Sequence, residues 1–177
     1  MAFTTIDVRA DGTRGALLLN RPEKLNPIGP TTLREIVDAA AWFDAQPDVK
    51  VVVISGAGRA FTAGADLAAF ADHETSAGAV GTREGADLGR QMAEAVEGMR
   101  AITVAKIHGH CIGGGVVLAS ACDLRIAATS ARFSIPEVAL GIPLTWGGVP
   151  RLVREVGPAM AKELILTCRP FIAAEAK

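Results

Sequence analysis

The sequence predicts an α/β fold, and three features carry the prediction. Apolar, β-branched runs such as "ALLLN", "KVVVIS" and "ITVAKIHG" alternate with amphipathic, helix-patterned segments. That alternation calls for parallel strand pairing with helical crossovers. The chain of 177 residues is half hydrophobic by composition, which is enough for one domain with its own core.

Taken in order, "FTTIDVR" alternates and reads as a strand, "DGTRG" as a turn and "ALLLN" as a second strand, together a hairpin. The prolines of "RPEKLNPIGP" make it a loop. A helix is expected from Thr32: Thr32 and Glu35 have capping-box spacing, and Leu33, Ile36, Val37, Ala40 and Phe43 share one face. The strand "KVVVIS" precedes the loop "GAGRAFTAGAD". The stretch "ADHETSAGAVGT" has loop composition, placing His73 in an exposed loop, whereas "REGADLGRQMAEAVEGMR" reads as a helix. After "ITVAKIHG", three glycines lead into a short helix, and "DLRIAA" and "RFSI" read as short strands. The loop "PEVALGIPLTWGG" follows, then two helices near residues 149–156 and 158–168. No internal sequence repeat or low-complexity tract is visible.

Net charge is −1 with both signs interspersed, which argues against a nucleic-acid partner. The start has an early acid and no apolar core, so it does not read as a signal peptide, and no apolar stretch is long enough to span a bilayer. Cys111, Cys122 and Cys168 show no CxxC spacing and read as small buried thiols in a reducing cytoplasm, not as metal ligands or disulfides.

Gly113, Gly114 and Gly115 sit between a strand and a helix start, where unpaired N–H groups and the positive helix end suit an anion. Val116 and Val117 follow where a P-loop needs Lys-Ser/Thr, and the spacing does not match a dinucleotide-binding turn. An oxyanion that develops during reaction is the remaining functional reading; a tight turn that packs helix on sheet is the structural alternative. The loop "RAFTAGADL" adds a second such turn. Asp66 there is placed to cap the next helix, leaving the Ala65 N–H near its start. Two donors from separate turns can converge on one oxygen.

The motifs "NRPEKLNPI", "GRAFTAGADL", "GHCIGGGVVLASACDLRIA" and "FSIPEVALGIPLTWGGVPRL" resemble, in order and spacing, those of the enoyl-CoA hydratase/isomerase (crotonase) superfamily. The resemblance covers nearly the whole chain and implies a spiral of repeated ββα units, with residues 1–177 as one domain lacking most of the family's C-terminal helical region. It implies acyl-CoA thioesters as substrates, with coenzyme A entering only as part of the substrate, no permanently bound cofactor or metal, and a homotrimer or hexamer. By position, the Ala65 and Gly114 N–H groups resemble the family's enolate-stabilising pair. Ala63, Asp66 and Leu67 resemble the segment lining the CoA moiety. Lys24 and Arg59 resemble cations near its phosphates, the alternative for both being a solvated surface charge.

Hydratases of the family resemble one another in carrying two glutamates. The first position is Val117 here; the second is Glu137, the one carboxylate between Asp123 and Glu155, among apolar neighbours. A single base suits moving a double bond better than adding water, so isomerase-type proton shuttling by Glu137 is expected ahead of hydration. A non-catalytic acyl-CoA binder, or another single-base reaction such as decarboxylation or ring-forming condensation, is the alternative. His108 and His110 are expected to be packed or surface imidazoles. Trp146, where the family often has a small residue, either narrows the acyl pocket or fills core.

Overall fold

A computed structural model describes residues 3–177, with residues 72–82 and 86 described by their backbone alone. Strands β1 (Ile6–Asp11) and β2 (Arg14–Leu19) form the expected antiparallel hairpin, Ile6 facing Leu19 and Asp11 facing Arg14. Helix α1 spans Pro30–Asp44 and β3 spans Val51–Gly56. The long helix α2, Leu67–Glu97, leads to β4 (Ile102–Ile107), β5 (His110–Ile112) and the short helix α3 (Gly114–Ala121). Strands β6 (Leu124–Ala127) and β7 (Arg132–Ser134), helix α4 (Gly148–Thr167) and β8 (Phe171–Ile172) complete the order.

Strands β1-β2-β3-β4-β6 make one sheet in that order, parallel from β2 onward, and β5-β7-β8 make a second. The second sheet is continued by single bridges, Thr62 to Cys111 and Ile28 to Ala65. Each turn of the chain therefore sends one strand to the large sheet and one extended segment to the small one before a helix or turn begins. The turns are related as structural units although their sequences do not repeat. Side chains such as Leu17, Leu33, Ile36, Phe43, Ile54, Phe61, Met92 and Leu118 fill the space between the sheets and helices, all fully enclosed. Every residue of α3 is buried, so this apolar helix runs through the centre of the molecule.

Two expectations are corrected and one is borne out. The helix α1 starts at Pro30 behind Gly29, not through a Thr32–Glu35 box: proline at the first helical position needs no hydrogen bond there. Glu35 instead turns to the N-terminal strand, accepting from the amides and hydroxyls of Thr4 and Thr5 at 2.6–2.9 Å. Burial raises the pKa of Glu35, but these four bonds outweigh it and hold the carboxyl below its ordinary value. Thr32 Oγ1 is buried with no partner among the described residues. The stretch read as loop over residues 71–82 is helical and belongs to α2, whose flanking residues Phe70, Leu88, Met92 and Val96 pack against the core. The expected exposure of His73 lies outside the described side chains. The two helices expected near residues 149–156 and 158–168 are present: within α4, Gly157 at φ +77° breaks the helical geometry just before Pro158, and the two segments meet there at a kink.

Candidate active site

Three successive turns of the spiral deliver one residue each to the same place. Ala65 follows the second turn's extended segment, Gly114 follows β5, and Glu137 follows β7. Parallel pairing of Ile112 with Ser134, and the bond from Gly113 N to Ser134 O at 2.9 Å, hold the last two side by side. Gly113 is at φ +49°, and a Cβ there would lie 2.3 Å from Glu137 Oε1. Only glycine lets the backbone turn left-handed with a carboxylate that close.

The Ala65 loop is pinned from beneath by two buried polar residues. Asn26 Nδ2 donates to the carbonyls of Ala57 and Ala60 at 2.8 and 2.9 Å. Thr62 Oγ1 donates to Asn26 O at 2.6 Å and accepts from Gly64 N at 3.0 Å. A Cβ on Gly64 would meet Ile112 O at 2.6 Å and stand 3.6 Å from Gly114 N, so the two glycine loops are in direct contact. Among the described residues, neither the Ala65 nor the Gly114 amide has a hydrogen-bond acceptor. Asn26 and Thr62 were not singled out from the sequence: a buried polar support looks like any loop Asn or Thr until its partners are known.

Ala65, Gly114 and Glu137 line a cavity of about 300 Å³ together with Leu67, Phe70, Val117, Ile142, Leu144, Thr145 and Trp146, among others. Glu137 is the single titratable group among the described lining residues. It is 9% exposed, and its Oε2 has no hydrogen-bond partner among the described residues. Removal from water raises its pKa above the ordinary carboxylate value, opposed only in part by its own backbone N–H. Val117, 1% exposed, presents an apolar wall where a second carboxylate could have stood.

The other expected site residues lie further out. Leu67 lines the cavity mouth at 51% exposure. Asp66 is not among the lining residues: its Oδ1 caps α2 by accepting from Ala69 N at 3.2 Å, and its Oδ2 pairs with Arg21 at 3.0 Å. Ala63 is half-buried, its N–H given to Leu25 O. Lys24 and Arg59 are both exposed outside the cavity, on loops that touch where Pro22 packs on Gly58. His108 binds Gly58 O through Nε2 at 2.9 Å and His110 faces solvent, so neither reaches the cavity. Cys111 and Cys122 are buried free thiols, and burial pushes Cys122 up to about 12 and Cys111 higher still. Among the described residues, no group of three His, Cys, Asp or Glu is placed to hold a metal ion, and no helix is long and apolar enough to cross a membrane.

An enclosed carboxyl beside two amides without an acceptor among the described residues, at the junctions of a ββα spiral, defines a class of protein, and comparison with known proteins identifies it. The model of the enoyl-CoA hydratase/isomerase family matches residues 15–177, and the chain belongs to that family. It is 39% identical over 177 residues to a crotonyl-CoA hydratase of Syntrophomonas wolfei, covering 99% of this chain and 66% of the relative. It is 41% identical over 187 aligned positions to a peroxisomal Delta(3,5)-Delta(2,4)-dienoyl-CoA isomerase of Arabidopsis thaliana, covering 99% of this chain and 67% of the relative. Among solved structures, an enoyl-CoA hydratase/carnithine racemase from Magnetospirillum magneticum superposes with a TM-score of 0.92 at 30% identity, over 99% of this chain and 65% of that one. The fold is thus the crotonase fold, and the chain spans about two thirds of the length of the curated relatives it matches.

Proposed function

We propose that the chain acts on acyl-CoA thioesters and shifts a carbon–carbon double bond, using Glu137 as its one proton carrier. The observation that carries this reading is that Glu137 is the one carboxylate among the described residues lining an apolar cavity, flanked by two amides without an acceptor among the described residues. A β,γ-unsaturated thioester would place its carbonyl oxygen between the N–H groups of Ala65 and Gly114. Glu137 would take a proton from the α-carbon, the negative charge would move onto that oxygen, and Glu137 would return the proton at the γ-carbon. Burial favours the protonated form of Glu137, which strengthens it as a base and matches charge lost by the carboxylate to charge gained on the oxygen.

Hydration is the second reading, favoured by the 39% identity to a crotonyl-CoA hydratase. Water would then need orienting by groups other than a second glutamate, since position 117 is valine. Side-by-side assays of β,γ- and α,β-enoyl-CoA on the purified protein separate the two. Isomerisation is expected to dominate; rapid hydration with negligible isomerisation would reverse the order.

We further assign Lys24 and Arg59 to the coenzyme phosphates, on the strength of their exposure on adjoining loops. Replacing both with alanine is expected to raise KM several-fold with kcat unchanged, and more so at low salt. An unchanged KM would return them to the solvated surface. A homotrimer or hexamer is proposed because Leu124, Val156 and Met160 stand 57%, 40% and 36% exposed around one largely apolar recess, and sedimentation equilibrium gives the copy number. Two buried free thiols support a reducing, cytoplasmic setting.

A further inference from the structure

We propose that Trp146 sets the length of acyl chain that the cavity accepts and restricts it to short-chain thioesters. The proposal rests on the reading of the cavity as an acyl-CoA site. The indole spans the gap between α2 and α3. Its five-membered ring lies over Gly89, where a Cβ would come 1.9 Å from Cδ1, and its benzo edge lies over Gly114, where a Cβ would come 2.2 Å from Cζ3. Two positions without side chains, one on each helix, thus form the slot that admits the ring. Phe70 closes the same side, its ring centroid 6.0 Å from that of Trp146.

The backbone of Trp146 is left-handed, at φ +57°. A bulky residue adopts that conformation at a cost, and such strain persists where the surroundings enforce it, commonly at ligand clamps. Here Arg151 enforces it. Arg151 is 7% exposed, donates to Gly147 O at 3.0 Å and pairs with Glu97 of α2 at 2.6 Å. The turn carrying Trp146 is thereby fastened to α4 and to α2, one of the two helices that form the slot.

Trp146 lies against Gly114, one of the two amides assigned to the thioester oxygen, so the first carbons of the acyl chain are the ones that meet the indole. The cavity, about 300 Å³, is at the small end for a ligand pocket. A longer chain has to pass the ring or be refused.

The test is kcat/KM for β,γ-unsaturated butenoyl-, hexenoyl- and decenoyl-CoA, in the wild type, Trp146→Ala and Trp146→Phe. The wild type is expected to prefer butenoyl over decenoyl. Trp146→Ala should shift that ratio toward the longer chain by about tenfold or more, the scale on which an apolar pocket discriminates chain length. Trp146→Phe, which keeps an aromatic ring in the slot, should shift it less but in the same direction. Calorimetric Kd values for saturated butyryl- and decanoyl-CoA read the same preference without turnover. Failure of the isomerase reading therefore leaves the length test standing. Equal losses at every chain length in both variants, with an unchanged binding ratio, would overturn the proposal. Should Trp146→Ala fail to fold, an unchanged ratio in Trp146→Phe overturns it alone.

Discussion

Glu137→Gln is expected to lower kcat by about two to four orders of magnitude, the usual worth of a positioned general base. Binding of a saturated acyl-CoA should stay within a few-fold of wild type. Glutamine keeps the shape of the side chain and loses only the ability to take a proton. The same substitution has a second, independent signature. Desolvation raises the pKa of Glu137 in the folded protein, whereas in the unfolded chain it titrates as an ordinary carboxylate. Between those two values the folded state binds more protons than the unfolded one. The wild type therefore loses stability as pH rises through that window, and above it carries the full cost of a buried, unpaired charge. Glu137→Gln removes the cost, so its stability gain over wild type should be present at neutral pH and shrink in acid. Urea unfolding of both proteins at several pH values measures it. The wild-type kcat/KM should rise with pH across the folded-state pKa, which lies above the ordinary carboxylate value. Undiminished turnover in the variant would remove Glu137 from the chemistry.

The contrast between what the sequence discloses and what it conceals follows the range of the interactions. Strands β2, β3 and β4 are six-residue runs whose apolar pattern is complete within the run, so they are legible locally. Strands β5 and β8 have three and two residues, too few for any periodicity to declare itself. They exist because β7 pairs with both. Helix α2 was broken in two on composition, yet Asp66 at its start and the core contacts of Leu88, Met92 and Val96 support one continuous helix. Packing outweighs the modest cost of interior glycines. Helix α1 shows the opposite error: the sequence contains a plausible cap at Thr32, but Pro30 already starts the helix, and Glu35 is claimed by Thr4 and Thr5 some thirty residues earlier.

The site divides in the same way. Glycine turns at strand–helix junctions are local and were legible as donors of free N–H groups. The meeting of Glu137 with Gly113 depends on parallel pairing between β5 and β7, with α3 and β6 between them in the chain. Only resemblance to a family with the same motifs pointed to it. The left-handed turn at Trp146 and the Asn26–Thr62 support have no pattern in sequence at all, because each is defined by its partners.

Gly113→Ala provides the most direct test of that meeting, with Gly12→Ala as its control. The two glycines have similar φ, +49° and +55°, but Gly12 has nothing within 4 Å of where a Cβ would be, whereas at Gly113 that Cβ would strike Glu137 Oε1. Gly12→Ala should therefore cost only the left-handed backbone penalty, about 1–2 kcal/mol of stability, with kcat unchanged. Gly113→Ala carries a larger backbone penalty, since its ψ of −111° lies outside the left-handed helical region, and adds a collision with two possible outlets. Either the carboxylate leaves the cavity, or the start of α3 moves and takes the Gly114 amide with it. Both separate the base from the oxyanion donors, and a displacement of about 1 Å is enough to cost about 10²-fold in rate. The assignment is sharpened by adding Gly113→Ala to Glu137→Gln. With the base already disabled, the further loss should be much smaller than in the wild-type background, because both changes act on one contact. A full additional loss in the double variant would mean that Gly113 serves the reaction through α3 alone, and a wild-type kcat for Gly113→Ala would separate Glu137 from the glycine turn altogether.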